Sequence, residues 1–422
     1  MTPSAASVES AGPPQQTSIR NELTFVYVGY CARYLQLMIL IPFFARVLGA
    51  AEYGKVLAAM SLFGIVWMVV QYGFSPVGVR DIVSAGTPPE VARHFSRHLQ
   101  ARLLTAIAGI AVGAAGILFS PLLLEDPAFG IVVGFNLSWL FQAVNRLKTS
   151  VLLEVAGFVI YVVLTLTLVR DSGDGIFVLL SLLAASLITV VVSYFLASKN
   201  VDFRLIQLAG ARPLINESGA MFVTTGLPML MTSASTFLLG LFATAAEVGY
   251  FGAAERLASV VLSLMGPAGQ VLVARITQQL NSPDTEADAF TLMRRSVFAM
   301  VCFGVIACAG SLLLSPYVIP LVFGTGFEPS ITVMQVFAFA FPIVGFSTAV
   351  RIYVLFPLRE DKSLAVTATV GAVVTVFAIL LLAGQCGGPG VAAARVFAEV
   401  ITAAMVVVAC TRTTAFRQIL GT

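Results

Sequence analysis

The chain has 422 residues, of which 58% are hydrophobic and only 11% are charged, and its formal net charge is +3. Soluble domains carry about 25% charged residues, so this composition excludes a soluble globular protein and indicates a polytopic membrane protein. The five cysteines have no paired spacing, which predicts neither a disulfide framework nor a metal site.

In chain order, residues 1–20 contain several Pro, Gln and Ser residues and are predicted to form a disordered cytoplasmic tail. Twelve apolar runs follow, and each has roughly the length of a membrane-crossing helix, about 20 residues. They lie at 22–47, 56–77, 99–119, 129–150, 151–169, 176–198, 219–241, 250–274, 296–316, 329–355, 363–384 and 388–410. The fourth and fifth runs are nearly continuous. We expect the chain to turn at 145–148, because one helix of that length would be about 60 Å long.

Lys and Arg are unevenly distributed over the loops. One alternating set of loops carries most of them, including Arg80 and Arg102, whereas the opposite set carries only Arg46, Lys55 and Arg170. Because cytoplasmic loops of membrane proteins are enriched in basic residues, both termini are predicted to be cytoplasmic.

Two histidines, His94 and His98, lie four residues apart in one of these basic segments. A metal site would require a third ligand, and none is evident in the sequence. We therefore expect the two side chains to belong to a cytoplasmic loop that faces lipid headgroups.

A repeat appears when the chain is shifted by 195 residues. The shift lays 50–54 on 245–249, Arg80 on Arg275, and 118–121 on 313–316. This predicts an all-α integral membrane protein with twelve transmembrane helices in two parallel six-helix bundles around a central cavity. The predicted units are an N-terminal bundle at 21–198, a cytoplasmic linker at 199–218, a C-terminal bundle at 219–410 and a cytoplasmic tail at 411–422.

Polar residues inside the first predicted helix are candidates for binding substrate. Tyr30, Arg33 and Gln36 recur every three residues and therefore share one face of the helix. A phenol, a guanidinium and an amide together suit sugar and phosphate, since arginine binds phosphate oxygens through two parallel hydrogen bonds. The alternative is that Arg33 pairs with another helix of the same bundle.

Three further arginines inside or at the edges of predicted helices are weaker candidates for substrate binding: Arg256, Arg351 and Arg395. Snorkelling to the membrane interface equally explains the first two. Arg395 lies four residues before Glu399, so an ion pair within one helix is the simpler interpretation. Glu399 and Glu154 are candidates for coupling transport to protons or cations.

No glycine-rich loop for nucleotide phosphates is present, which makes direct use of ATP improbable, and no cofactor is expected. No predicted loop is long enough to hold a soluble catalytic domain, and clustered carboxylates or histidines suited to acid–base chemistry are not evident. We therefore expect no enzymatic activity and no catalytic residues.

Several segments resemble the polysaccharide transporters that flip O-antigen and exopolysaccharide repeat units. They are 45–54, 72–74, 79–82, 139–142 with Lys148, 250–256, 266–270 and 387–394 with Glu399. The chain departs from that family at 349–355, where an Asn-rich stretch is usual, and at Ala274, where proline is usual. These departures bear on the substrate rather than on the class of transporter.

The resemblance implies membership of the multidrug/oligosaccharidyl-lipid/polysaccharide exporter superfamily. It implies a multi-pass inner-membrane flippase that moves polyprenyl-diphosphate-linked oligosaccharide by ion-coupled alternating access. Membrane lipid and the polysaccharide polymerase machinery are the implied partners, and nucleic acid is not. Two alternatives stay open at this point: a multidrug or cation exporter of the same superfamily, and a polytopic membrane enzyme that acts on lipid-linked sugars.

Overall fold

The computed structural model describes residues 19–119, 128–198, 210–280 and 286–412. Within 19–38, at residues 119, 128, 129, 286 and 361, and at several positions in 224–232 and 266–274, it describes the backbone alone. The regular structure of these ranges is entirely helical, as the sequence predicts. The helices are α1 (Ile19–Gln71), α2 (Phe74–Ser84), α3 (Pro88–Phe119), α4 (Ala128–Gly134), α5 (Ser138–Ala143), α6 (Leu147–Leu168), α7 (Gly175–Ala197), α8 (Arg212–Met221), a π-helical turn π1 (Phe222–Gly226), α9 (Leu227–Phe242), α10 (Ala245–Ser263), α11 (Gly266–Leu280), α12 (Glu286–Phe323), α13 (Pro329–Ala338), α14 (Ala340–Val350), a second π-helical turn π2 (Arg351–Leu355) and α15 (Asp361–Thr411).

Seven helical segments in the described ranges are long and apolar enough to cross a membrane. They are Ile39–Ser84, Pro88–Leu118, Leu147–Leu168, Gly175–Ala197, Ala287–Phe323, Pro329–Leu355 and Lys362–Thr411. Shorter apolar helices lie at Gly130–Ala143 and Ser233–Phe242. The exposed large hydrophobic side chains on these helices suit a lipid-facing surface. The chain therefore has an all-helical, multi-pass membrane fold.

Two of the longest helices are broken at a glycine. The backbone of α1 leaves the helical conformation at Gly49 (φ 72°), and that of α15 does so at Gly387 (φ 55°). A positive φ is accessible to glycine without the steric cost that a Cβ atom would bring. Each arm of these two helices is long enough to cross a bilayer separately. The breaks fall where the sequence predicts the ends of separate membrane helices.

The two copies of the repeated motif contact each other, and we call this region the motif end (residues 49–54 and 244–249). A Cβ atom on Gly54 would overlap the carbonyl oxygen of Ala245, and one on Gly249 would overlap that of Ala50. Gly54 is equivalent to Gly249 in the repeat, and Ala50 is equivalent to Ala245. The 195-residue shift therefore maps each of these two contacts onto the other. The halves of the chain thus meet here through a reciprocal, pseudo-symmetric contact of backbones.

The start of α10 at the motif end is fixed by a capping box. The backbone N–H of Glu247 donates to Oγ1 of Thr244 (3.3 Å), and the backbone N–H of Thr244 donates to Oε2 of Glu247 (3.1 Å). Thr244 occupies the repeat position that Gly49 occupies in α1. One half therefore begins its helix with a cap, and the other begins it with a glycine kink.

A second contact between the halves lies beyond the C-terminal end of α1, one helical arm away from the kink at Gly49, and we call it the linker end (residues 72–84 and 212–222). The ring of Tyr72 stacks on that of Phe222, with centroids 4.7 Å apart. Nη2 of Arg80 on α2 lies 2.8 Å from Oε1 of Glu217 on α8. Residues 212–218, which the sequence assigns to a cytoplasmic linker, form most of α8.

The structure corrects the expected loop around the histidines. The helix α3 already begins at Pro88, so His94, His98 and Arg102 lie in its first four turns. The side chains of His98 and Arg102 are each only 1% exposed. The segment is therefore helical rather than a loop, and its face at His98 and Arg102 is buried, so Arg102 does not belong with the loop charges that predict the orientation.

Other predicted boundaries shift as well. The expected turn at 145–148 is present, because Asn145 adopts a positive φ (56°) between α5 and α6. The predicted helix at 129–150 is instead divided into α4 and α5, and the one at 250–274 is divided between α10 and α11. Both divisions occur where short turns interrupt an apolar run, which periodicity alone does not reveal.

Candidate substrate path and ion site

A buried ion pair joins two helices of the C-terminal half. Nη1 of Arg395 on α15 lies 2.5 Å from Oε1 of Glu255 on α10. Oγ1 of Thr236 on α9 donates to the other carboxylate oxygen at 2.9 Å. The guanidinium carbon also lies 5.7 Å from the ring centre of Phe337 on α13. Three helices, α9, α10 and α15, therefore meet at one carboxylate, both of whose oxygens have a partner, and α13 contacts the paired arginine.

This geometry replaces the pair expected within α15. Arg395 binds Glu255, which is 140 positions away in the chain, and no ion pair with Glu399 is formed. Tertiary packing prevails over the one-turn spacing, since the α10 carboxylate already has a second donor in Thr236. Arg395, a predicted substrate-binding residue, is thus held by a structural partner in this state.

One carboxylate oxygen of Glu399 has no hydrogen-bond partner among the described groups. This atom, Oε2, is buried. A buried carboxylate oxygen without a donor is costly unless a proton or a cation occupies it. Among the described residues, Glu399 thus combines a position on α15 one turn from Arg395 with a buried oxygen that has no donor.

Arg256 follows Glu255 on α10 but takes no part in the ion pair of that carboxylate with Arg395. Its charge acts on the phenols of Tyr53 on α1 and Tyr161 on α6, both of which are buried. Arg256 itself is half-buried and has no hydrogen bond or ion pair with the described side chains. The charge of Arg256 on α10 therefore acts on two buried phenols of the other half, one on α1 and one on α6.

Arg351 is folded back on its own helix. Its Nε donates to the backbone oxygen of Ser347 and its Nη2 donates to Oγ1 of Thr348, each at 3.3 Å. It begins the π-helical turn π2, and such turns often occur at functional sites. A cavity of about 250 Å³ lies beside it, lined by Thr348, Tyr353 and mostly apolar side chains of α10, α12 and α14.

The remaining predicted residues are placed only in part. Tyr30, Arg33 and Gln36 lie on the helical backbone of α1, but their side chains are outside the described part of the structure. Glu154 lies on α6 with an exposed side chain, so it is not part of the buried cluster around Glu255.

The sequence analysis missed Glu255 and Thr236 as members of the site. Glu255 appears in the sequence only as the neighbour of Arg256, and Thr236 lies in an apolar run where a threonine is unremarkable. The available signal was the depth of Glu255 in its helix, since an intramembrane carboxylate needs a partner. The identity of that partner depends on how α10 and α15 pack together, which the local spacing does not contain.

The fold is shared with solved membrane transporters. The structure of the lipid II flippase MurJ in an inward closed conformation matches with a TM-score of 0.66 at 14% identity, covering 94% of this chain and 89% of that one. An inward-facing multidrug resistance MATE family transporter of the MOP superfamily also matches with a TM-score of 0.66 at 14% identity, covering 90% and 98%. At such identities the likeness establishes the fold.

Two curated proteins are similar over nearly their whole length. One from Shigella dysenteriae, named as a candidate O-antigen transporter, is 22% identical over 400 residues, covering 91% of this chain and 98% of that protein. One from Escherichia coli strain K12 with the same name is 19% identical over 393 residues, covering 88% and 92%. A profile of the family described as polysaccharide biosynthesis protein matches residues 19–279, which is more than half of the chain. The chain therefore belongs to the polysaccharide biosynthesis protein family.

Proposed function

We propose that this protein flips polyprenyl-diphosphate-linked oligosaccharide across the bacterial inner membrane by ion-coupled alternating access. Family membership, the transporter names of its relatives and the fold shared with a lipid II flippase support this function. An anionic sugar headgroup cannot cross hydrocarbon unaided, so it needs a polar, cationic route through protein. The relatives are named as transporters, and we propose a transporter without enzymatic activity.

The observation that carries the proposal is the position of Arg256. Its helix α10 packs against α1 of the other half, its charge acts on two buried phenols of that half, and it has no hydrogen bond or ion pair with the described side chains. A diphosphate is a strong acceptor for a guanidinium, and phenols suit sugar hydroxyls. We propose that Arg256 contacts the diphosphate and that Tyr30, Arg33 and Gln36 on α1 extend the same path.

The proposed architecture is two parallel six-helix bundles around a central cavity. The reciprocal contact of Gly54 with Ala245 and of Gly249 with Ala50 supports it, since a pseudo-two-fold axis between the halves gives this exchange. The two arms of α1 and of α15 would each count as separate crossings. Both termini are proposed to be cytoplasmic, which places the linker end inside and the motif end outside.

Energy coupling is proposed to use Glu399 in preference to Glu154. The unpartnered oxygen of Glu399 is buried beside an occupied ion pair, whereas the side chain of Glu154 is exposed on α6. Each elementary charge moved across 100 mV supplies about 2.3 kcal/mol, which would drive the headgroup uphill without ATP. The polysaccharide polymerase machinery is proposed as a partner that takes up the flipped product.

Export in cells tests the role of Arg256. In a strain that depends on this protein for surface polysaccharide, Arg256→Gln should lower export about tenfold or more, since a hydrogen bond to a charged group contributes about 1.5–3 kcal/mol. Arg295→Gln is the matched control, because Arg295 is exposed on α12. Normal export by Arg256→Gln at equal protein level would contradict the proposed path. Export of a cationic dye in place of polysaccharide would favour a multidrug exporter.

A further inference from the structure

A buried polar cluster lies at the linker end, on helices other than those that carry the proposed ion site in the C-terminal half. Its core is one face of α3, where His94, His98 and Arg102 recur every four residues. The side chain of His98 is 1% exposed and that of His94 is 25% exposed. A fully buried imidazole inside a membrane protein is rare and usually functional.

The ring of His98 is packed tightly and bonded on one side only. Its Nε2 lies 3.2 Å from Oδ2 of Asp81 on α2. The ring lies 5.0 Å from the Trp139 ring of α5 and 6.2 Å from that of Phe74. Its Nδ1 is buried and has no hydrogen-bond partner among the described groups. The site therefore suits a neutral imidazole whose Nε2–H donates to Asp81 and whose Nδ1 carries no proton.

The charges around His98 act in opposite directions. Asp81 favours the imidazolium, and Arg102 one turn away disfavours it. Arg102 is itself buried and has no carboxylate partner in the part of the chain that the structure describes. It donates to the backbone oxygen of Asn136 (3.0 Å) and to Gln71 and Ser75 (3.3 Å each), and it lies over the Trp139 ring. The other charged or titratable groups that face the cluster are His94, Arg80, Glu217 and, beside Arg102, Tyr194; the short helix α5 contributes none.

A chain of contacts runs from this imidazole to the contact between the halves. Oδ1 of Asp81 lies 3.5 Å from Nη2 of Arg80, and the same Nη2 lies 2.8 Å from Oε1 of Glu217 on α8. Gly78 on α2 is pressed against the cluster, because a Cβ there would lie 2.6 Å from Trp139 and 3.1 Å from His98. A movement of the His98 ring toward α2 would therefore displace that helix, which carries one side of the linker-end contact.

We propose that His98 is a proton-binding site and that proton uptake there weakens the contact between the halves at the linker end. A second proton would sit on Nδ1, where no acceptor is available, so the ring must move to hydrogen-bond it. Since the packing leaves no free space on the side of α2, that helix shifts and pulls Arg80 away from Glu217. The proton site stands on this geometry; only its use in transport rests on the proposed function.

Tryptophan fluorescence reports the proton directly. The chain has two tryptophans, and Trp67→Phe leaves Trp139, whose ring touches His98, as the single emitter. An imidazolium in contact with indole quenches its emission. The full-length Trp67→Phe protein in lipid nanodiscs should therefore lose emission along one titration curve between about pH 8 and about pH 5. His98→Gln should remove the curve, and the matched control His94→Gln should keep it.

A distance measurement tests the consequence for the halves. Spin labels on cysteines at Val83 of α2 and Met221 of α8, both exposed, should move apart on acidification in a background without the five native cysteines. His98→Gln should stay at the short distance at every pH. If His98→Gln fails to fold, Asp81→Asn should shift both curves to lower pH, because it removes the group that favours the imidazolium.

Two outcomes overturn the inference. One is a pH response of fluorescence and distance that persists in His98→Gln. The other is a distance that stays constant in the parent protein while the fluorescence titrates, which would leave a proton site without the proposed link. Both readouts use substrate-free protein, so a failure to flip lipid-linked sugar would leave them unchanged and would count against the proposed function alone.

Discussion

Glu255 of α10 and Arg395 of α15 form a 2.5 Å ion pair inside the C-terminal half, and Thr236 of α9 occupies the remaining carboxylate oxygen. Together with Thr236, the ion pair links α9, α10 and α15 through polar contacts in a region that is otherwise apolar. Removing one partner would leave the other as an unpaired buried charge and would destabilise the fold, whereas removing both partners would leave no buried charge.

The first prediction concerns this pair. Glu255→Leu should destabilise the folded protein by about 3–5 kcal/mol, because the guanidinium of Arg395 loses its counter-charge. The double variant Glu255→Leu/Arg395→Met should recover most of that loss. Thermal unfolding of the detergent-solubilised variants measures both effects. A double variant no more stable than Glu255→Leu would show that the pair is not the structural element inferred here.

A second prediction separates Glu399 from its neighbours. Glu399→Gln should fold with nearly unchanged thermal stability, since the buried oxygen accepts no hydrogen bond in the structure. It should nevertheless abolish ion-driven accumulation of substrate while leaving downhill flipping intact. Vesicles with and without an imposed ion gradient distinguish the two activities. Gradient-driven transport equal to that of the parent protein would remove Glu399 from the coupling role.

The sequence predicts the class and the all-helical fold because both follow from composition and apolar runs, which are local properties. It also indicates where α1 and α15 break, since Gly49 and Gly387 lie in short polar or glycine-rich interruptions. The partner of Arg395 is not predictable in the same way. The nearest carboxylate in sequence, Glu399, is a reasonable candidate, and only the packing of α10 against α15 shows that Glu255 takes its place.

The buried histidine cluster illustrates a different difficulty. Loop charges and buried charges look alike in a count of Lys and Arg, so Arg102 was expected in a cytoplasmic loop and is instead buried. A signal was nevertheless present. The four-residue spacing of His94, His98 and Arg102 continues the face of a helix that becomes fully apolar only a few residues later.

The third prediction concerns the reciprocal contact at the motif end. Gly54→Ala should prevent the two halves from closing there, because the new methyl group would overlap the backbone oxygen of Ala245. Gly310→Ala is the control, since a Cβ at Gly310 meets nothing within 4 Å. A cysteine at Val248, which is fully buried, should react with a membrane-impermeant maleimide in Gly54→Ala but not in the control. Equal protection in both would contradict the close approach.

The fourth prediction concerns Arg33 on α1, whose place in the path stays a prediction from the sequence. Arg33→Ala should abolish polysaccharide export at normal expression. Arg33→Lys should restore it only in part, since lysine cannot form two parallel hydrogen bonds to a phosphate. Surface polysaccharide measured against membrane protein level checks this result. Full export by the alanine variant would place Arg33 outside the path.

The central claim is tested most directly with purified protein in vesicles that contain a fluorescent polyprenyl-diphosphate-linked oligosaccharide in one leaflet. The account predicts that the headgroup becomes accessible to a membrane-impermeant quencher on the opposite side, faster with an ion gradient, and that Arg256→Gln slows this movement about tenfold or more. Vesicles in which the headgroup stays on its original side, although the protein is folded and a cationic dye crosses, would contradict it.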